Sequence, residues 1–147
     1  MNRKVVCMVR GGEAGRSTQE QAIAYAKKAE RQLVFLQIIN IDRLSLNGEE
    51  KILPTLTELT WLARINLSLA RQRAARHGVK AEAAIKIGPI FESVVAYLKE
   101  NQVERLFLGL PREDHEDYHF RLEQVNEFAG RISQATKVTV ELVKRTL

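Results

Sequence analysis

The segment HEDYH at residues 115–119 has the spacing H-E-x-x-H, which can build a zinc centre. On a helix buried in a cleft, two such histidines bind one metal ion and the glutamate acts as general base. This segment is polar, follows Pro111 closely and has no third ligand at a familiar spacing. These surroundings argue against a zinc site, so a metal-dependent hydrolase using His115, Glu116 and His119 is kept only as an alternative. We expect no metal site and no catalytic residues.

A glycine-rich stretch, GGEAGRST, begins at Gly11 and is similar to a phosphate-binding loop. A true phosphate loop would need glycine where Arg10 stands and lysine where Arg16 stands. We interpret the stretch as a loop between a strand and a helix, with Ser17 as the helix cap. Because glycine N–H groups can approach an anion closely, Gly11 and Gly12 are candidate donors.

The elements that must position these residues alternate along the chain. Apolar runs predict strands over 4–9 and 81–87 and in the segments LVFLQII, LFLGL and KVTVELV. Apolar residues at helical spacing predict four helices between them, starting at Ser17 and over residues 53–77, 90–101 and 120–134. The turn Gly88-Pro89 ends one strand and starts the third helix.

The long second helix is predicted to bury one apolar face. Residues that recur at helical spacing are assigned to that face, and packing is also the expected role of Trp61. The face comprises Leu56, Leu59, Leu62, Ile65, Leu69 and Ala70.

Strict alternation of strands and helices predicts an α/β fold with three layers. The expected architecture is α/β/α, an open twisted five-stranded parallel sheet with helices on both faces and right-handed crossovers. Thr139 and Glu141 interrupt the apolar residues of the last strand. This pattern indicates an edge strand, which often pairs with another chain.

Composition bounds the class of protein. With 147 residues and 45% apolar residues, the chain fits one globular domain without disulfides. No apolar run approaches the ~20 residues that cross a bilayer, so we expect no membrane insertion and a cytoplasmic location.

Cys7 lies within an apolar run and is expected to be buried. The net charge of +5 is spread over predicted outer helix faces, so we expect no nucleic-acid partner.

Taken in order, KVVCMV, LVFLQII and IKIGPIFESVVAYLKENQVERLFLGL resemble the universal stress protein family over almost the whole chain. The resemblance implies a single Rossmann-like domain over residues 1–147 with strand order 3-2-1-4-5. It also implies a homodimer formed through the last strand, where Val138, Val140 and Leu142 would lie at the interface.

The nucleotide-binding branch of that family has an acidic residue after the first strand and the pattern G-x2-G-x9-G-[S/T] after the fourth. Here Arg10 stands at the acidic position, Gly109 matches the first glycine and Arg112 replaces the second. The last pair falls on Val125 and Asn126, so the spacing is not kept. Carboxylates are expected where a triphosphate belongs, and they would repel it. They are Glu113, Asp114, Glu116 and Asp117.

The resemblance and the broken motif together predict a regulatory or interaction domain in a stress response, with protein partners, a degenerate nucleotide site and no cofactor. The alternative is a sensor module that binds an adenine nucleotide, such as ATP or AMP, or another small anion. Such a module could also be a cytoplasmic domain of a transporter or sensor kinase. Its site would lie at the carboxyl edge of the sheet and would use Arg10, Gly11, Gly12, Ile38, Gly109, Arg112 and Asn126.

Overall fold

Strands and helices alternate through the computed structural model, which describes residues 3–10, 15–40, 55–114 and 116–144. The strands are β1 (Lys4–Met8), β2 (Gln32–Ile39), β3 (Ala81–Ile87), β4 (Val103–Gly109) and β5 (Thr139–Val143). The helices are α1 (Arg16–Ala29), α2 (Leu56–Arg76), α3 (Ile90–Glu100) and α4 (Tyr118–Thr136). No helix in these ranges is long and apolar enough to cross a bilayer.

The five strands form one parallel sheet in the order β3-β2-β1-β4-β5. This order confirms the predicted α/β class and the strand order implied by the resemblance. It places β1 at the centre of the sheet and β3 and β5 at its two edges. Successive strands are added on one side of β1 up to β3 and on its other side from β4 onward, so the strand order reverses between β1 and β4. Parallel sheets form their ligand crevices at such a point.

Two apolar cores lie on opposite faces of the sheet, because successive side chains of a strand point to opposite faces. Val5, Cys7 and Phe35 pack with α1 and α2 on one face. Val6 and Leu36 pack with α3 and α4 on the other face. The helices therefore form the outer layers of the predicted three-layer fold.

The N-terminus of α1 differs from the prediction. The helix begins at Arg16 with Gly15 as its N-cap residue, and no side chain caps it. Ser17 lies within the first turn, so the predicted Ser17 cap is wrong. Ser17 is the second residue of the helix, where the backbone is already helical, whereas a cap residue has a non-helical backbone.

The buried face of α2 is also not the predicted one. Its buried residues are Ala63, Leu67, Ala70 and Ala74. Of the predicted inner-face residues only Ala70 is fully buried, and Leu56, Leu62, Ile65 and Leu69 are exposed, as is Trp61. Small residues let α2 lie close to β2 and β3, where the Arg71 Nε donates a hydrogen bond to the carbonyl oxygen of Ala81. A large side chain on that face would hold the helix off the sheet.

At the opposite edge, Val138 is not part of β5. It precedes the strand and is buried in the core beneath α3 and α4. Val140 and Leu142 lie in β5, half-buried against the same core. Of the three residues predicted for an interface, Val138 therefore packs within its own chain.

Burial of Cys7 makes stability depend on pH. The side chain is fully buried, and this burial raises the pKa of the Cys7 thiol. In an unfolded chain a thiol ionises near pH ~8.5. The stability contributed by the neutral thiol is therefore complete below about pH 8.5 and is lost as the pH rises above it. At one pH unit above about 8.5, we expect the free energy of unfolding to be about 1.4 kcal/mol lower than at a pH where the thiol is neutral in both states.

Urea denaturation at about pH 7.5 and about pH 9.5 measures this loss. Cys7→Ala is the control, because it removes the thiol and should flatten the pH dependence. Burial, together with the charge of Glu82, also raises the pKa of Tyr97, but both variants share that phenol. Equal slopes in the wild type and in Cys7→Ala would contradict the prediction.

Candidate ligand cleft at the carboxyl ends of β1 and β4

A cleft of about 600 Å³ opens where β1 and β4 end. The first turn of α1 forms one wall, with Gly15 and Thr18, and the N-terminal half of α4 forms the other. The last residue of β4, Gly109, and the residues after it up to Arg112 form its floor. The cleft therefore lies at the reversal point of the sheet, as expected for a ligand site in this class of fold.

Positive charge dominates the described residues that line the cleft. They include Arg10, Arg112 and Arg121, against the single carboxylate of Asp117. The Arg112 guanidinium donates two hydrogen bonds to the carboxylate of Asp114, with both N–O distances at 3.0 Å. Arg10 and Asp117 have interaction partners as well. The lining can attract an anion, although part of its positive charge is already engaged.

Gly109 has a structural reason to be glycine. A Cβ at this position would lie 2.7 Å from Oγ1 of Thr18, which is shorter than any normal contact. Thr18 is buried in the first turn of α1. The absence of a side chain at Gly109 therefore lets α1 pack against the end of β4.

The backbone after Gly109 offers few donors to a ligand. The Leu110 N–H donates to the carbonyl oxygen of Val143 at 2.9 Å, and Pro111 has no N–H. The N-terminus of α4 begins with Asp117 as N-cap residue, whose carbonyl oxygen accepts the first helical hydrogen bond from the Arg121 N–H. A negative side chain thus occupies the helix end that would otherwise favour a phosphate.

One face of α4 supplies residues that sequence analysis did not single out for the cleft. Arg121, Gln124 and Phe128 line it, and Phe120 does so with 63% of its surface exposed. Together with Asp117 they recur every three or four residues. This spacing is visible in the sequence, but only the position of α4 beside β4 shows that the face borders the cleft.

The predicted site residues separate into three groups. Arg10, Gly109 and Arg112 line the cleft together. Ile38 packs on the core under α3 and α4, and Asn126 is exposed on α4, so neither is among the described lining residues. Gly11 and Gly12 lie outside the described residues.

The acidic loop is largely turned away from the cleft. Of its four carboxylates only Asp117 is among the described lining residues. Glu113 accepts a hydrogen bond from Lys144 Nζ at 2.9 Å, and this bond raises the pKa of Lys144. Asp114 is paired with Arg112. The loop therefore affects the cleft through two carboxylates, because Asp114 neutralises Arg112 and Asp117 lines the cleft itself.

The H-E-x-x-H segment shows no metal geometry in the part that is described. His119 is exposed in the first turn of α4, with its ring 5.5 Å from that of Tyr118, and Glu116 is exposed. His115 lies outside the described residues. No group of three or more potential ligand side chains occurs among the described residues.

Comparison with known proteins gives matches in structure only. No family model matches the chain, and no curated protein sequence matches it. The universal stress protein UspA from Lactobacillus plantarum superposes with a TM-score of 0.75 at 13% identity, covering 96% of this chain and 97% of that one.

Two further structures were solved with nucleotides. A universal stress protein in complex with cAMP has a TM-score of 0.71 at 14% identity, and 98% of each chain is covered. The universal stress protein from Archaeoglobus fulgidus in complex with dAMP has a TM-score of 0.68 at 11% identity, again with 98% of each chain covered. The strand order, the alternating helices and these superpositions agree, and the chain has the universal stress protein fold over almost its entire length.

Proposed function

We propose that residues 1–147 form one non-catalytic domain that acts by interaction or regulation, and that its nucleotide site is degenerate. The observation that carries this proposal is the backbone after Gly109. Leu110 donates its N–H within the sheet, and Pro111 has none. A phosphate cradle needs several free backbone N–H groups directed at one point, and this segment lacks the first two.

The position of Gly109 supports the same conclusion. Close contact with Thr18 explains why this residue is glycine, without a phosphate. Asp117 at the start of α4 adds a negative charge within the cleft lining, and such a charge opposes the binding of a triphosphate.

The proposed partners are proteins, one of them a second copy bound through β5. β5 is an edge strand, and its residues Val140 and Leu142 are half-buried. A strand at a sheet edge presents unpaired backbone groups that another chain can bind. We place the domain in the cytoplasm.

Native mass spectrometry with and without Mg-ATP tests the degenerate site. We expect no retained nucleotide, no uptake of Mg-ATP and no thermal shift when Mg-ATP is added. We expect the same result with dAMP, for which the dAMP complex of the universal stress protein from Archaeoglobus fulgidus supplies a positive control. A site occupied to 100 times its Kd would raise stability by about 2.7 kcal/mol. Stoichiometric uptake of Mg-ATP would overturn the proposal.

The second candidate is a sensor that binds a smaller anion in the same cleft. The three arginines against one carboxylate favour it, and the ligands of the two nucleotide complexes each carry a single phosphate. AMP titration by calorimetry tests this candidate. If AMP binds, Arg121→Glu should lower the affinity for AMP by about ten- to a hundredfold, which is the loss expected when a hydrogen bond to a charged group is removed.

Arg64→Glu is the matched control for AMP binding, because Arg64 is an exposed residue of α2 and does not line the cleft. It changes the net charge equally, so it measures the long-range effect alone. Saturable AMP binding that falls only in Arg121→Glu would replace the first candidate by the second. Equal weakening in both variants would exclude a specific role for Arg121.

A further inference from the structure

An exposed apolar stripe runs along α2, and we call it the α2 stripe. It comprises Trp61, Leu62, Ile65 and Leu69, whose exposed fractions are 63%, 46%, 38% and 53%. At 100° per residue these side chains fall on one side of the helix. The residues that pack on the sheet, such as Leu67 and Ala70, lie on the other side.

This stripe is more than scattered surface apolar residues. An exposed tryptophan with three aliphatic neighbours on one helix face forms a contiguous patch, and such patches mark interaction sites. The helix is held firmly on its other side by its contacts with β2 and β3. The stripe is thus presented on a rigid element rather than on a loop.

Charge at the two ends of the stripe is self-complementary. Glu58 lies at the N-terminal end and Arg76 at the C-terminal end, and both are exposed. They are about five helical turns apart, about 27 Å, so they lie on the same side of the helix as the stripe. Neither makes an ion pair with another described residue.

We propose that the α2 stripe binds the α2 stripe of a second copy of this chain, with the two helices antiparallel about a two-fold axis at the level of residue 67. In this arrangement Ile65 faces Leu69 of the partner subunit, and Glu58 faces Arg76 of the partner subunit. The same contacts recur by symmetry, as an isologous interface requires. Each apolar residue leaves water and both end charges are paired.

The geometry agrees with ordinary helix packing. A shallow crossing near 20° keeps two antiparallel helices in contact over several turns, so that both end pairs can form together. Leu62 then lies level with Gln72 of the partner subunit, and Trp61 lies level with Arg73 of the partner subunit. This interface uses α2 and is separate from the edge strand β5, so it adds to any pairing through β5.

Charge reversal tests the proposal without changing the apolar residues. In Glu58→Arg, arginines face each other at both ends of the interface, and in Arg76→Glu, glutamates do. We expect each variant alone to associate through α2 on the order of tenfold more weakly than the wild type, since two attractive pairs become repulsive. An equimolar mixture of the two variants restores both opposite-charge pairs and should restore association.

Sedimentation velocity at low salt over a concentration series measures the masses. As the concentration rises, we expect the mass of the wild-type species and of the mixed species to double. Each single variant should keep the lower mass at the same concentrations. Trp61→Glu should lack this doubling as well, and its circular dichroism should match the wild type because 63% of the Trp61 surface is exposed and Trp61 belongs to neither apolar core.

The outcomes separate this interface from others. Equal masses for the wild type, both single variants and their mixture would overturn the proposal, whether or not β5 pairs. Weakened association in both single variants without recovery in the mixture would also overturn it, because direct pairing of Glu58 with Arg76 would then be wrong. Recovery in the mixture can arise only when two copies face each other through α2.

Discussion

Replacing Leu67 by alanine is expected to lower the free energy of unfolding by about 2–5 kcal/mol. Leu67 is the one large side chain among the buried residues of α2, and only 3% of its surface is exposed. It packs in the core shared with Phe35 and Ala81. Its neighbours on the helix face are alanines, which cannot extend to fill the space, so a cavity remains.

Leu69→Ala is the matched control, since the same atoms are removed two residues away on the exposed face of the same helix. We expect a change within about 0.5 kcal/mol. Urea denaturation of both variants, at protein concentrations where the wild type is monomeric, gives the comparison. The inner face predicted from the sequence included Leu69 and not Leu67. A larger loss in Leu69→Ala would therefore restore that prediction and contradict the structure.

Gly109→Ala is expected to cost about 1–3 kcal/mol, the usual effect of adding a group to a well-packed site. The new Cβ would lie 2.7 Å from Oγ1 of Thr18, so α1 or β4 must shift. Thr18 is short, branched and buried, and it cannot swing away as a long flexible side chain would. Thermal or urea denaturation measures the loss.

A double-mutant cycle identifies the cause. Thr18→Ala removes the oxygen that clashes, so Gly109→Ala should cost much less in that background, with a coupling of about 1–3 kcal/mol. Gly130→Ala is the control for backbone effects, because a Cβ there has no neighbour within 4 Å. Within α4 we expect it to stabilise the protein by roughly 0.5–1 kcal/mol. Absence of coupling between Gly109 and Thr18 would show that packing against α1 does not explain the glycine.

Local patterns predicted the elements well. The strand expected over 81–87 has those bounds, and the third helix ends with Asn101 as its C-cap residue, as the sequence indicates. Gly88 has φ of +150°, a conformation that favours glycine, and Pro89 follows it at the start of α3. These boundaries depend on residues next to one another in the chain, so a sequence contains them.

Which face of α2 is buried could not be predicted from the same pattern. The helix has apolar residues on two sides, and periodicity does not say which side meets the sheet. The small residues were buried because close approach to β2 and β3 favours them, whereas Trp61 and Leu69 remained outside. This choice depends on the distance between helix and sheet, which is a property of the folded molecule.

The candidate site shows the same division. Arg10, Gly109 and Arg112 were singled out because each follows a strand or stands in the expected glycine pattern, and they line one cleft. Arg121 and Phe120 belong to it only because α4 lies beside the end of β4. That this cleft is a degenerate nucleotide site, or that it binds a small anion, stays a proposal.

The sequence by itself determined the order and type of the elements, and with them a parallel three-layer fold, because hydrophobic periodicity and turn residues act over a few neighbouring positions. Only the tertiary structure decided that Thr18 requires glycine at position 109, that the Leu110 N–H is used within the sheet, and that the α2 stripe faces outward. Each of these depends on residues far apart in the chain, and their contacts exist only once the helices have packed on the sheet.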